Sequence, residues 1–466
     1  MEKYDVAIVG AGMSGIAAGI RLAHFGKKVC IFERHYAPGG LNSFYFKEGR
    51  KYDVGLHAMT NFVKPGVKRA PLNRILRQLR ISREELNLSE QLGSRVSFPG
   101  RDLRFNNDFG LLESEVEREF PTEMDGFRKL VETIQAFDDT EFNYPYRSAR
   151  EVVRRCITDV VLEDMIFCPL MYYGSSTEED MDFGQFVVMF KSIFFEGFAR
   201  PQEGIRNIIK LLLQRYKEAG GIRRMRTGVA SFKIEKGRVD RLILDSGEEV
   251  RADIVLSSVG LPETYSLCSE KIVSETDIKT GRLSFTETIS IFKDQPSSFN
   301  WGNDTIVFFN NRDRFAYREA KDPVDLTSGV ICIPNNFAYG ETNLTEGIVR
   351  VTCLANYDSW EMYTEDEYNS EKENWRSRIW NAAKAFMPPN SLDYSRNCIA
   401  HDMFTPKTVE HFTWKQRGAI YGAQRKTKDG TTPFANLFIC GTDQGFLGIV
   451  GSMLSGIAMA NTHALR

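Results

Sequence analysis

The chain has 466 residues, enough for two domains or one large composite fold. Hydrophobic residues make up 42% and charged residues 26%, the balance of a soluble globular protein, and a formal net charge of −2 leaves no strong field for nucleic acid. Six scattered histidines and eight cysteines without a C-x-x-C pair offer no metal-ligand spacing, and no apolar run is long enough to span a bilayer. The cysteines read as reduced, mostly buried thiols, and a first strand from Tyr4 leaves no room for a secretory leader, so a cytoplasmic protein is expected.

Residues 6–9 form a short β-branched run ending in glycine, as a buried parallel strand does. Gly10, Gly12 and Gly15 follow as G-x-G-x-x-G. The first allows a tight turn, the second lets backbone approach a pyrophosphate, and the third lets the next helix pack close on its strand. That helix is expected over about residues 14–25, and its start at Met13 and Ser14 offers free N–H groups to phosphate. Residues 28–32 read as the second strand, with Glu33 at its end able to accept bonds from ribose hydroxyls. Arg34 follows, then a second glycine turn, Gly39-Gly40-Leu41-Asn42, and the run Tyr52-Asp-Val-Gly-Leu-His57. His57 reads either as a histidine hydrogen-bonded beside a cofactor cleft or as a proton carrier.

Lys64, Lys68, Arg69, Arg74, Arg77 and Arg80 crowd the next stretch, the last three at a spacing that puts them on one helical face. Such a face is either simply solvated or a patch for anionic lipid headgroups. Further on, Phe183, Phe186, Val187, Met189, Phe190, Ile193, Phe194 and Phe198 recur at three- and four-residue steps. They form a broad apolar helical face, readable as core, as the wall of an apolar tunnel or as a membrane-dipping helix. A helix over about 205–219 ends at Gly220-Gly221, and short strands follow, with Lys236-Gly237 as a hairpin turn and a buried strand over 250–260. Between 266 and 414, alternating stretches such as Ser284–Phe292 point to a second sheet, with a helix over 370–386 stopped by Pro388-Pro389. The last segment carries a strand into Gly441-Thr-Asp443 and a glycine-rich helix start at Gly448, Ile449 and Val450.

Gly39-Gly40, Gly55-Leu-His57, Gly418-Ala-Ile-Tyr-Gly422, Gly441-Thr-Asp443 and Gly448-Ile-Val-Gly451 together resemble the retinol saturase and carotenoid isomerase branch of the phytoene desaturase family, within the amine oxidase superfamily. The resemblance covers both ends and residues 200–260 well and the middle poorly. It implies an α/β architecture: a Rossmann-type FAD-binding domain (1–88, 200–265 and 415–466) with an inserted α+β substrate domain (89–199 and 266–414), a mixed sheet covered by helices. It implies FAD as cofactor, with Gly10, Gly12, Met13, Ser14, Gly15, Glu33, Arg34, Gly39, Gly40, Leu41, Asn42 and His57 around it. It also implies Val229 touching the adenine side through its backbone, Gly441, Asp443 on the ribityl or pyrophosphate part, and Gly448, Ile449 and Val450 near flavin O2. The chain departs from the family's pattern at Glu203, where a glycine is usual, and at Leu41-Asn42, where an arginine or other polar residue commonly follows the glycine pair.

No second G-x-G-x-x-G in the right context occurs, so no separate NAD(P)H domain is expected. The activity implied is an FAD-dependent oxidoreductase that desaturates, saturates or isomerises carbon–carbon bonds of an isoprenoid or other apolar lipid. A quinone or redox protein would be its electron partner, nucleic acid is not a partner, and contact with a membrane surface is expected. The alternatives are a flavin amine oxidase acting on a small amine and a non-catalytic prenyl-binding protein of the Rab escort type.

Overall fold

In the computed structural model, which describes residues 1–68, 70–138, 144–269, 279–340, 343–389 and 397–466, Glu2–Val9 (β1) lies between Val29–Glu33 (β2) and Glu249–Ser257, parallel to both. The sheet runs Val229–Glu235, Arg238–Leu244, Glu249–Ser257, β1, β2, Ile222–Met225, with Leu437–Ile439 added parallel to Glu249–Ser257. Both faces of β1 are covered, so its side chains alternate between two cores. Val6 and Ile8 join the cluster under helices Met13–Ala23 (α1), Ile205–Glu218 and Gly448–Met459. Tyr4, Ala7 and Val9 join a second cluster with Phe232, Leu242 and Phe434. That is why the strand reads as a continuous apolar run. A Cβ on Gly15 would collide with the carbonyl oxygen of Gly10, and one on Gly456 with that of Ser14. The two glycines let α1 lie close against its strand and against the helix from Gly448.

A second sheet runs Cys398–Phe404, Ser284–Phe292, Gly347–Ala355, Ser328–Cys332, Asp304–Asn310, Gly93–Phe98, Arg101–Phe105. Only the Asp304–Asn310 and Gly93–Phe98 pair is parallel, so the sheet is mixed. Phe308, Val330 and Cys332 face the core built by helices Val160–Gly174 and Phe183–Phe190. Val307, Phe309 and Ile331 face Trp375 and Ile379 of the helix Glu365–Ala383. The chain is thus an α/β molecule, a Rossmann-type sheet joined to a helix-covered mixed sheet.

One reading is decided and one expectation is corrected. The aromatic face of the helix over 183–190, which continues as a π-helical turn Lys191–Phe195, is core, the first of its three readings, with only Met189 of that set bordering a cavity. Phe186, Phe190 and Phe194 are at most 2% exposed and pack on Phe105, Phe109 and Phe167. Of the three arginines expected on one helical face, Arg74 and Arg77 lie on the helix Pro71–Gln78 (α2), but Arg80 lies past its end with φ +55°. All three are exposed, as are Lys64 and Lys68, while Arg69 lies outside the described residues.

Candidate functional site

One cavity of about 1090 Å³ runs from the carboxyl ends of β1 and β2 to the second sheet. Its floor is the meeting of the two glycine turns. Gly39 takes φ +114°, a left-handed conformation that glycine adopts without strain, and its N–H donates to the carbonyl of Ala11 at 2.8 Å. Gly12 and Gly39 form an isolated parallel bridge. A Cβ on Gly12 would meet nothing within 4 Å, so the residue leaves room where α1 begins. Neither α1 nor the helix Gly448–Met459 has a side-chain cap, and the first residues of both, Met13 and Ser14, Gly448, Ile449 and Val450, line the cavity. Two uncapped helix starts therefore present N–H groups and positive dipole ends to one space. This fits a dinucleotide with a pyrophosphate at one helix and an electron-rich ring oxygen at the other.

Glu33, Arg34, Gly40, Leu41, Asn42, His57 and Val229 also line this space. Glu33 accepts from the N–H of Ala11 at 2.7 Å and from that of His35 at 2.8 Å, which fixes the carboxylate at the end of β2 with lone pairs to spare. Arg34 is committed to the protein: it donates to Asp245 at 3.1 Å and to the carbonyl of Val229 at 2.9 Å, and stacks over Trp414.

Gly15, Gly441 and Asp443 do not line the cavity. Gly15 has the packing role described above, and the N–H of Gly441 donates to the Ser455 hydroxyl at 2.6 Å. Asp443, expected to reach the ribityl or pyrophosphate part of the cofactor, points into the protein. It is fully buried and accepts from the N–H groups of Leu261 at 2.6 Å and Ala423 at 2.8 Å, with Lys426 Nζ at 3.4 Å. Burial pushes this carboxyl's pKa up, but Lys415, Lys426 and the two amides outweigh it and hold it below the usual range. Asp443 ties three loops together. Its neighbours Thr442, Gly445, Phe446 and Leu447 face the cavity instead.

Beyond the glycine turns the wall becomes aromatic and aliphatic: Tyr172, Tyr173, Phe285, Val330, Ile420 and Tyr421, with Val188 and Met189 of the helix Phe183–Phe190. Around His57, which the sequence reading singled out, are residues that motif reading missed: Glu287 and Thr352 in this wall, with Arg350 and Arg200 behind it. His57 Nε2 lies 3.4 Å from Glu287 Oε2 and 3.2 Å from the Thr352 hydroxyl. Glu287 is paired with the Arg350 guanidinium, which also donates to the carbonyls of Leu56 at 2.9 Å and Val54 at 2.6 Å. Arg200 adds bonds to the carbonyls of Leu56 at 2.6 Å and His57 at 3.2 Å, and is itself held by Asp53 at 2.5 Å. Burial pulls the His57 pKa down, and Glu287 restores it only in part. Burial pushes Glu287 up, but Arg350 and His57 outweigh it, so its carboxyl stays below the usual range. Both directions favour a neutral imidazole beside an ionised carboxylate. A signal for these residues was present: Glu287 and Arg350 are each the lone charged residue in an otherwise uncharged strand, Ser284–Phe292 and Gly347–Ala355.

The profile of the family described as "Flavin containing amine oxidoreductase" matches residues 13–462. The chain is 22% identical over 510 residues to prolycopene isomerase 2, chloroplastic, of an Oncidium hybrid cultivar, covering 99% of this chain and 84% of the relative. It is 24% identical over 532 residues to all-trans-retinol 13,14-reductase of Danio rerio, covering 98% and 85%. Among solved structures, an oxidoreductase from Methanosarcina mazei superposes with a TM-score of 0.67 at 18% identity, covering 99% of this chain and 100% of the other.

Proposed function

Since the chain belongs to the flavin containing amine oxidoreductase family and is an FAD-binding oxidoreductase, we propose that its substrate is an isoprenoid or other polyene lipid whose carbon–carbon bonds it desaturates, saturates or isomerises. The observation that carries this reading is the cavity wall. Beyond the dinucleotide end it is largely aromatic and aliphatic, and among the described residues the four carboxylates that line the cavity are each bonded within the protein. Glu33 holds two backbone amides, Glu196 takes Asn61, Glu287 is paired with Arg350, and Asp402 takes Tyr45 and Lys47. A free carboxylate is the strongest partner for a small amine, though aromatic faces also hold an ammonium, and an apolar chain needs no charged partner at all. The prenyl-binding alternative has no use for a ribose-side carboxylate or for two uncapped helix starts.

The bound flavin supplies hydride exchange with a substrate carbon. The chain's own residues bind and orient. Gly12 and the start of α1 would hold the pyrophosphate, Glu33 the ribose, and the helix from Gly448 the flavin's O2 side. The aromatic wall excludes water from the reacting carbons. A quinone or redox protein is the electron partner we propose.

FAD-loaded protein in detergent should bind all-trans-retinol or prolycopene with a shift of the flavin absorption bands, and putrescine should give none. A band shift and flavin bleaching with putrescine alone would transfer the reading to amines. Glu33→Ala should weaken FAD binding by about 1–3 kcal/mol, roughly 5- to 150-fold, read by flavin fluorescence titration. Unchanged affinity would remove Glu33 from the ribose site.

A polyene is collected at a bilayer, and the reading includes contact with one. Pro71, Arg74, Ile75 and Gln78 of α2 line the cavity, so its mouth there opens beside exposed Arg74, Arg77 and Arg80. Each basic residue near an anionic surface contributes about 1 kcal/mol. The protein should sediment with anionic liposomes at low salt and not with neutral ones. Reversing the three arginines to glutamate should release it with FAD retained. Equal sedimentation of wild type and triple variant would place the contact elsewhere.

A further inference from the structure

Resting on the oxidoreductase reading above, we propose that His57 is the proton acceptor of the cavity, with Glu287 and Arg350 as its positioning residues. Glu287 Oε2 lies 3.4 Å from His57 Nε2, and because a carboxylate only accepts hydrogen bonds, this approach favours the tautomer with its proton on Nε2. The Thr352 hydroxyl lies 3.2 Å from the same nitrogen and can accept from it in that tautomer. Nδ1 then carries the lone pair, and it has no hydrogen-bond partner among the described residues. Behind the pair, Arg350 and Arg200 grip the carbonyls of Val54, Leu56 and His57, so the ring is held by its backbone as well as its edge.

The groups that face the ring from the surrounding elements are few. Glu287 comes from the strand Ser284–Phe292, Thr352 and Arg350 from Gly347–Ala355, and Arg200 from the strand Ala199–Pro201. Cys332 Sγ lies 3.9 Å from the His57 carbonyl, and the Tyr173 ring lies 6.2 Å from the imidazole. The Tyr173 hydroxyl is buried with no partner among the described residues, an orphan that a ligand in the cavity would satisfy. The negative carboxylate of Glu287 is aimed at the imidazole and stabilises the imidazolium that forms when Nδ1 takes a proton. This is the division of labour of an acid–base pair, a base in hydrogen-bond contact with a group that orients it.

Dehydrogenation of a carbon–carbon bond removes two hydrogens and two electrons. One hydrogen leaves with both electrons as hydride to the oxidant, the flavin. The other leaves its carbon as a proton to His57 Nδ1, and the pair from that C–H bond becomes the new π bond. The substrate is oxidised by two electrons and the flavin reduced by two. His57 then returns its proton to solvent or to the reoxidation step. Glu287, already bound by Arg350, keeps its charge throughout.

Nitrogen-15 NMR of FAD-loaded, histidine-labelled protein tests the arrangement without turnover, with His57→Gln assigning the signal. At pH 7 His57 should be neutral and protonated on Nε2, and Glu287→Gln should move its titration to lower pH. An imidazolium at pH 7 would make the pair a fixed ion pair and overturn the proposal, as would a proton on Nδ1. In the second arm, 13,14-dihydroretinol in detergent is the probe, with putrescine beside it, and anaerobic flavin bleaching is followed by stopped flow. The wild-type rate should fall as pH drops through the His57 titration. His57→Gln should be roughly 100-fold slower or worse, with a flat pH profile and an unchanged probe-induced band shift. A His57→Gln protein that keeps the wild-type rate and pH profile would refute the assignment. If neither probe bleaches the wild type, the substrate class fails, and the tautomer measurement alone decides for or against His57.

Discussion

Phe190→Asp should yield protein that neither folds nor holds FAD, whereas Val188→Asp, two residues earlier, should yield folded yellow protein that has lost the proposed polyene binding. Phe190 has no exposed surface, and its ring lies 5.0 Å from that of Phe194, 5.4 Å from Phe195, 6.0 Å from Phe186 and 6.2 Å from Phe109. Removing a buried phenylalanine costs about 3–5 kcal/mol. An unpaired carboxylate in its place adds several more, or neutralises itself at similar expense. The sum is comparable to the whole stability of an ordinary domain, about 5–15 kcal/mol. Val188 is half-buried and lines the cavity, where an added carboxylate can stay hydrated. Flavin content and melting temperature of the two variants, with polyene binding for the second, check both halves. A Phe190→Asp protein melting within a few degrees of wild type would contradict the packing described.

Asp53→Ala destabilises the protein by about 3–5 kcal/mol, through what it leaves behind. The carboxylate is buried and takes Arg200 at 2.5 Å and Arg206 at 3.2 Å. Its removal strands two guanidinium groups, and the Nε atoms of both are already unbonded among the described residues. Arg206 keeps the Tyr52 carbonyl at 3.1 Å, and Arg200 keeps the carbonyls of Leu56 and His57, so hydrogen bonds persist while the countercharge is lost. Asp53→Ala combined with Arg206→Met should recover part of the loss, because the penalty is the orphaned charge. Urea unfolding of the single and double variants measures this. A double variant less stable than the single one would show that Arg206 earns its place by packing on Phe44 and Phe46, which its guanidinium overlies, rather than by charge.

The dinucleotide end of the site was legible because its signals are local. A glycine that must admit backbone or phosphate, a β-branched strand and a terminal acid all sit within one short stretch, and the structure places them side by side. Other features depend on contacts that no local pattern encodes. Asp443 follows a strand, as a cofactor-facing acid would, yet its direction is set by the amides of Leu261 and Ala423 from two distant loops. The aromatic periodicity of residues 183–194 correctly marks one buried face, but periodicity cannot say what that face touches. The cavity lies against the other side, through Gln185, Val188, Met189, Ser192 and Glu196, a mixed set whose three polar members would have argued against it. Glu287 and Arg350 stand in strands far apart in sequence and become a pair only through antiparallel register, Glu287 lying opposite Thr352 and Ile289 opposite Arg350.

The interleaving of the two sheets has a consequence for how each copy of the protein is made. β1 is synthesised long before its partner Glu249–Ser257, and Leu437–Ile439 only after every strand of the second sheet has been made. The half built on the second sheet can therefore condense while the nucleotide-binding half still has an unmatched strand edge. Such edges are sticky, and long-range parallel pairing is slow. An emerging chain carries an open edge on β1 until residues 249–257 are made, and the helix that begins at Gly448, whose first residues line the cofactor cavity, follows every strand of both sheets.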